Sequence, residues 1–300
     1  MKMLRKLVFV CIAVLLLESA GLAMFKQEAA ANEQPMQKAT WLWHTKEIVS
    51  NKDQLLDFMQ QNQVTDVYLQ INKDISVSAY KTFIQQASAN DIKVHALDGA
   101  PAWVSKKGLA SQESFFAWVQ DYQLQAAPEE QFSGIHLDVE PYLYKGWKKQ
   151  YRQTVQSYQA LLMKANQSAQ QLGLPLAADI PFWFDNRFYN NQFGKGKLSD
   201  WVIAHTDSVT IMAYRDQALG SNGIIKLAQN EINYAASMNK KVSIGVETQV
   251  SQEGEFITFY EEGQAAMWEQ LQLVQNSYED LSSFDGFSIH YLQSWMKLKQ

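Results

Sequence analysis

The segment Ser133-Gly-Ile-His-Leu-Asp-Val-Glu-Pro-Tyr142 sets three ionisable residues, His136, Asp138 and Glu140, at alternate positions. Residues two apart on a strand face the same way, about 6.5–7 Å apart along the chain. Two carboxyl groups at that spacing cannot both ionise freely in a partly dry site. One is pushed toward its protonated form and can hold a proton at neutral pH. Cleavage of a glycosidic bond needs such an acid to protonate the leaving oxygen. The same carboxylates could instead cap the next loop or pair with Arg215. A metal centre is not expected, because no second histidine cluster offers matching ligands for His136, Asp138 and Glu140. No cofactor is expected either.

A second carboxylate offers another route. Glu247, in Ile244-Gly-Val-Glu-Thr248, could face Glu140 as nucleophile or base. A retaining pair stands about 5–5.5 Å apart and an inverting pair about 6.5–9.5 Å. Pairing of Glu247 with Arg215 is the competing reading.

The elements that must position these groups follow from hydrophobic period. Short β-rich runs are expected at Thr40–Trp43, Asp66–Ile71, Lys93–Leu97, Gly134–Val139, Ala177–Phe182, Ser208–Ala213, Val242–Val246 and Gly286–His290. Helical periodicity lies between them, at Asp53–Gln61, Ala79–Ser88, Gln112–Gln125, Tyr151–Leu172, Ile224–Met238 and Gln264–Tyr278. Eight such alternations without a Gly/Ser- or Pro-rich linker predict one α/β domain, a single (β/α)8 TIM barrel over residues 32–300. A doubly wound open sheet is the competing fold, but no Gly-rich phosphate turn follows the first strand. In such a barrel the residues just past each strand line the site. Those positions hold His44, Asn72, Asp98, Asp138, Glu140, Asp179, Trp183, Tyr214, Arg215, Glu247, His290 and Trp295.

Aromatic rings gather at the same ends. Trp43, Trp103, Trp183 and Trp295 fall near strand ends, with Tyr142, Tyr144 and Trp147 after the acid pair. As a group they suit the apolar faces of sugar rings in a cleft. Trp41, Trp118, Trp201 and Trp268 fall where a strand or amphipathic helix would bury them.

The N-terminus has a different character. Lys2, Arg5 and Lys6 precede an apolar run from Leu7 to Leu17, and Ala29-Ala30-Ala31 follows. This is the order of a secretory signal peptide, residues 1–31, and it predicts export and a secreted bacterial protein. An uncleaved membrane anchor is the alternative. The lone cysteine, Cys11, lies inside this leader and lacks the small residues that precede a lipoprotein cysteine. The 300 residues carry 26 Lys and Arg against 31 Asp and Glu, a net charge of −5. Loss of residues 1–31 removes Lys2, Arg5, Lys6 and Lys26 against Glu18 and Glu28, leaving a still more acidic chain. Such a balance gives no electrostatic case for a nucleic-acid partner. A single cysteine excludes a disulfide framework.

Asp138-Val-Glu140, Met212-Ala-Tyr214 and Trp295 together resemble the family 18 glycoside hydrolases, the chitinase-like TIM barrels. The resemblance implies Glu140 as general acid/base and Asp138 as partner of the substrate N-acetyl group, which is the internal nucleophile. It implies that Tyr214 steadies the acetamido group and that Trp295 forms a hydrophobic floor. Trp43, Asp98, Tyr142, Asp179, Trp183, Arg215 and His290 are the expected substrate-binding residues. Where the family's Asp-x-x-Asp-x-Asp-x-Glu has its first two acids, this chain has Ser133 and His136. Where Met-x-Tyr-Asp ends in an acid, it has Arg215, a fixed cation that would favour a charged substrate or lower the pKa of Asp138. The expected activity is hydrolysis of an N-acetylhexosamine-containing cell-wall or extracellular polysaccharide. A carbohydrate-binding barrel without catalysis is the main alternative, and a structural module of the cell envelope a weaker one.

Overall fold

A computed structural model of the protein describes residues 36–300; the expected leader at 1–31, with Cys11, lies outside the described residues. Ten strands follow in chain order: β1 Gln37–Leu42, β2 Asp66–Gln70, β3 Lys93–Asp98, β4 Gly134–Leu137, β5 Leu176–Pro181, β6 Phe188–Asn191, β7 Gly194–Lys197, β8 Ser208–Met212, β9 Lys241–Glu247 and β10 Phe284–His290. Eight of them close into a barrel in the order β1-β10-β9-β8-β5-β4-β3-β2. Every barrel pairing is parallel. The expected (β/α)8 barrel is therefore the observed one.

Helices return the chain between strands and start and stop for local reasons. Ser76 caps the helix Val77–Ser88 by accepting from the Ala79 amide at 3.3 Å. Tyr151–Leu172 ends at Gly173, whose φ of 69° lies in the left-handed region that glycine enters without steric cost. Among the elements that escape the hydrophobic period are the antiparallel hairpin β6–β7 and the helix Leu198–His205 after it. The hairpin strands read Phe-Tyr-Asn-Asn and Gly-Lys-Gly-Lys, with almost no apolar alternation to announce them.

Aliphatic side chains on the outer face of the barrel, such as Val67, Val94, Ile135, Ile180, Ile211, Ile244 and Ile289, are buried beneath the helices. The inner face differs from the branched aliphatic filling usual in this fold. Trp41 on β1 bonds Asp179 on β5, on the far side of the barrel. The Tyr68 ring on β2 stacks at 3.7 Å on His136 of β4. Ser243 on β9 and Ser288 on β10 share a 2.8 Å hydrogen bond, and Tyr68 reaches Ser288 at 3.2 Å. Hydrogen-bonded polar and aromatic side chains thus fill the interior below the strand ends. Among the described residues no helix is long and apolar enough to cross a membrane.

One core group stands outside this network. Glu231, on the helix Ile224–Ser237, is fully buried, and neither carboxylate oxygen has a hydrogen-bond partner. Burial, assisted by the field of Asp185, pushes its pKa up to about 8. A carboxyl raised on folding stabilises the fold fully below its unfolded pKa, and that contribution is lost as pH rises toward the folded value. Between about pH 4.5 and 8, stability should fall by up to about 1.4 kcal/mol per pH unit on account of Glu231. Denaturant titrations at pH 5, 6.5 and 8 should show this slope flattened in Glu231→Gln. An unchanged slope would mean that Glu231 is ionised in the fold.

Candidate active site

β4 ends at Leu137, so Asp138 and Glu140 stand just past the strand, on the rim where the barrel opens. The Asp138 amide still donates to the Asp98 carbonyl at 3.2 Å, which fixes its height against β3. Gly99 makes that approach possible: a Cβ there would lie 1.9 Å from the Asp138 carbonyl oxygen. Glu140 has φ 47° and ψ 61°, a left-handed conformation costly for a residue with a side chain. Pro141 follows it and disfavours the right-handed helical alternative. The next turn closes when the Leu143 amide donates to the Glu140 carbonyl at 3.0 Å. That turn brings Tyr142 back over Glu140, where its hydroxyl donates to Glu140 Oε1. Burial and the neighbouring Glu140 carboxylate raise the pKa of Tyr142, so it keeps the proton it donates.

Burial changes Asp138 strongly. Its Oδ1 is buried without a hydrogen-bond partner, while the side chain as a whole remains partly open. Desolvation, then the carboxyl groups of Asp179 and Glu140, drives its pKa well above the usual range. Among the described residues Arg215 makes no ion pair with Asp138, Glu140 or Glu247, and the leading influences on Asp138 all raise its pKa. The idea that Arg215 pairs with the acids or lowers the pKa of Asp138 is therefore corrected.

Asp179, on β5, forms the floor beneath this pair. Its Oδ2 accepts from the Trp41 indole at 3.0 Å, and its Oδ1 lies 2.8 Å from His136 Nε2. Burial lifts the pKa of Asp179 and lowers that of His136. Both directions favour an uncharged pair with one proton between Oδ1 and Nε2.

Glu247 and His290 form the opposite wall. Glu247 Oε1 accepts from the amides of Thr248 and Gln249 at 2.8 and 2.7 Å, and Oε2 lies 2.8 Å from His290 Nδ1. The Trp43 indole donates to His290 Nε2 at 3.1 Å, so the ring proton sits on Nδ1 and is donated to Glu247. These bonds engage both oxygens of Glu247, which positions His290 and Trp43 rather than presenting a free base. The Tyr214 ring lies 5.8 Å from the His290 ring. Desolvation, then the fields of Glu247, Asp179 and Asp138, raises the pKa of Tyr214, so its hydroxyl remains a donor among acidic neighbours.

The other expected residues divide. Trp183 meets Tyr142 edge-on at 5.0 Å and joins the rim beside Glu140. Asp98 bonds its own neighbour, the Gly99 amide, at 2.8 Å. Burial pushes its pKa up to about 6, opposed by that amide and by Lys73. Its side chain follows the inward Leu97, and its field acts on Tyr80, whose hydroxyl serves the Asn72 backbone. Arg215 lies farther out on the rim, between aromatic rings.

Trp295 is not at the barrel mouth. It is fully buried, edge-on to Phe58 at 5.2 Å and near Trp268 at 6.0 Å, with its indole donating to Gln264 at 2.9 Å. Phe58, Gln264 and Trp268 belong to the helical shell. Trp295→Ala should cost about 3–5 kcal/mol of stability without lowering glycan turnover per folded molecule. Denaturant unfolding set beside active-fraction kinetics checks both parts.

Trp41 is buried in the core beneath the strand ends, as its place on a strand predicts. Its ring lies 5.2 Å from the His290 ring and 6.1 Å from the His136 ring. Among the described residues no group of three or more His, Cys, Asp or Glu side chains is arranged to hold a metal ion.

No family model matches the chain, and no curated protein matches it. Solved structures do. The chain is 11% identical to a mutant GH18 chitinase from Cycas revoluta in complex with (GlcNAc)4, over 87% of this chain and 96% of that one, with a TM-score of 0.53. A chitinase from Bacteroides thetaiotaomicron is 8% identical over 87% and 91%, also with a TM-score of 0.53. The spore cortex-lytic enzyme SleL of Bacillus megaterium QM B1551 is 13% identical over 88% and 74%, with a TM-score of 0.52. The chain has the chitinase-like TIM-barrel fold.

Proposed function

We propose that the protein is an exported glycoside hydrolase that cleaves an N-acetylhexosamine-containing polysaccharide of a cell wall or extracellular matrix. The observation that carries this reading is Asp138: a carboxyl group with a buried, unpartnered oxygen, beside Glu140 and within the field that also reaches Tyr214. An unmet acceptor in a dry site is costly unless a ligand donor completes it. An acetamido N–H is such a donor. The Tyr214 hydroxyl supplies the complementary hydrogen bond to the acetamido carbonyl.

The chemistry then runs through this chain's own groups. Glu140 gives its proton to the glycosidic oxygen as the bond to the anomeric carbon breaks. The acetamido oxygen closes on that carbon, with Asp138 holding the acetamido N–H and Tyr214 the oxygen. Water later opens the cyclic intermediate, and Glu140 takes the water's proton back. Tyr142 holds Glu140 in place, and Trp43 and Trp183 offer ring faces to the sugars. Export rests on the order of residues 1–31. The structures named above that act on or bind GlcNAc polymers favour the same substrate class.

The altered motif, with His136 and Ser133 in place of acids, favours a second reading as a glycan-binding barrel without turnover. New reducing ends measured on chitin, peptidoglycan and poly-N-acetylglucosamine separate the two. Turnover on at least one polymer is expected. Binding to a polymer without any released product would replace the hydrolase reading with the binding one.

A further inference from the structure

Arg215 has no part in that chemistry, yet its surroundings are built around it. Its guanidinium carbon lies 5.1 Å from the ring centre of Phe182 and 5.3 Å from that of Phe256. Phe182 directly follows β5 and Phe256 belongs to the loop after β9, so the cation is held between two loops of the strand-end rim. Its plane is fixed by donation from Nη1 to the Tyr214 carbonyl at 2.6 Å and from Nη2 to Asn222 Oδ1 at 3.0 Å. Those bonds use one proton on each amino nitrogen. The Nε–H is buried and has no partner.

Among the described residues no carboxylate comes within 4.0 Å of this guanidinium. Asp216, the next residue, acts on the cation only from beyond that distance, and a guanidinium partly stripped of water gains further from an anion that meets its N–H groups directly. The Phe182 and Phe256 rings pack on the cation, and each amino nitrogen keeps one further N–H, a pair that can meet the two oxygens of a carboxylate. Phe182 is followed by Trp183, which meets Tyr142 at 5.0 Å, and Tyr142 bonds Glu140. The cation therefore stands on the same rim as the acid, beyond it along the wall.

We propose that Arg215, held between Phe182 and Phe256, anchors an anionic subsite that takes the carboxylate of an acidic N-acetylhexosamine glycan. The proposal rests on the glycan reading above and narrows it from neutral polymers to carboxylate-bearing ones. Two glycan types share that chemistry: peptidoglycan strands with the lactyl ether of muramic acid, and copolymers with a uronic acid ring.

The test is calorimetric binding to the Glu140→Gln protein, with and without Arg215→Gln or Arg215→Lys. The probes are peptide-free peptidoglycan oligosaccharides, hyaluronan oligosaccharides, their methyl esters, and neutral chitotetraose. At least one free acid should bind about ten- to a hundredfold tighter than its ester. Arg215→Gln should remove most of that ratio, and Arg215→Lys should restore only part of it. The acid that shows the preference identifies the source. Equal affinity for acid and ester, or a ratio unmoved by Arg215→Gln, overturns the subsite. Wild-type turnover of neutral glycans with no acid preference sinks this proposal alone. An acid preference that depends on Arg215, with no turnover of any glycan, sinks the hydrolase reading and leaves the subsite standing.

Discussion

Glu140→Gln should lower glycan turnover by about 10²–10⁴-fold, the usual contribution of a positioned general acid, and leave the unfolding midpoint essentially unchanged. The amide keeps an oxygen to accept from Tyr142, so the turn over Pro141 loses nothing. The backbone at residue 140 stays left-handed with either side chain, so its strain cancels between the two proteins. Only the transferable proton is gone. Loss should be steeper for a native glycan than for an aryl glycoside, whose leaving group departs without protonation. Steady-state kinetics on both substrates, with unfolding curves from the same preparations, gives the comparison. Full activity in Glu140→Gln would falsify the assignment of the acid.

The second large effect concerns the floor. Asp179→Ala should destabilise the protein by about 2–5 kcal/mol, because it strands two buried groups, the Trp41 indole N–H and the His136 ring. Asp179→Asn should cost far less. If Asp179 is uncharged, an amide reproduces it: the oxygen accepts from Trp41 and the N–H donates to His136 Nε2. The pH dependence follows from the same direction. A carboxyl raised on folding stabilises the fold below its unfolded pKa and loses that contribution as pH rises, and an amide has no such dependence. Denaturant unfolding of the three proteins at pH 5 and pH 8 should therefore show Asp179→Asn near wild type at low pH and gaining relative to it at high pH. A loss in Asp179→Asn as large as in Asp179→Ala would mean that Asp179 is ionised.

These effects also show why some of the site was legible in the sequence and some was not. The eight barrel strands announce themselves because both faces are covered, so Asp66–Gln70 or Lys241–Glu247 read as dense apolar or β-branched runs. The hairpin Phe188–Lys197 has no such pressure on its composition, and only Asn and Gly near its turn hint at it. Strand ends carry chemistry, so Asp138, Glu140, Tyr214, Glu247 and His290 could be placed at the barrel mouth from spacing alone. What spacing does not carry is partnership across the barrel. Trp41 meets Asp179 over 138 residues of chain, and Glu247 is engaged by its own loop and by His290. Trp295 was misplaced for the complementary reason. It follows the last strand by five positions, and the short helix Leu292–Trp295 carries it into the shell against Phe58.

The His136–Asp179 pair also bears on the altered fourth-strand motif. The position that holds an acid in the resembling family holds a histidine here, and a carboxyl from the next strand meets it at 2.8 Å. A carboxyl group on β5 thus meets the side chain that stands two residues before Asp138 on β4.

In the proposed mechanism Asp138 and Tyr214 hold an acetamido group for attack while Glu140 supplies the proton. Its most direct test compares initial rates on one N-acetylated oligosaccharide and on the same oligosaccharide after chemical N-deacetylation. Cleavage of the acetylated glycan, with the deacetylated one slower by at least about 10²-fold, is the expected result. Equal cleavage of both would contradict it.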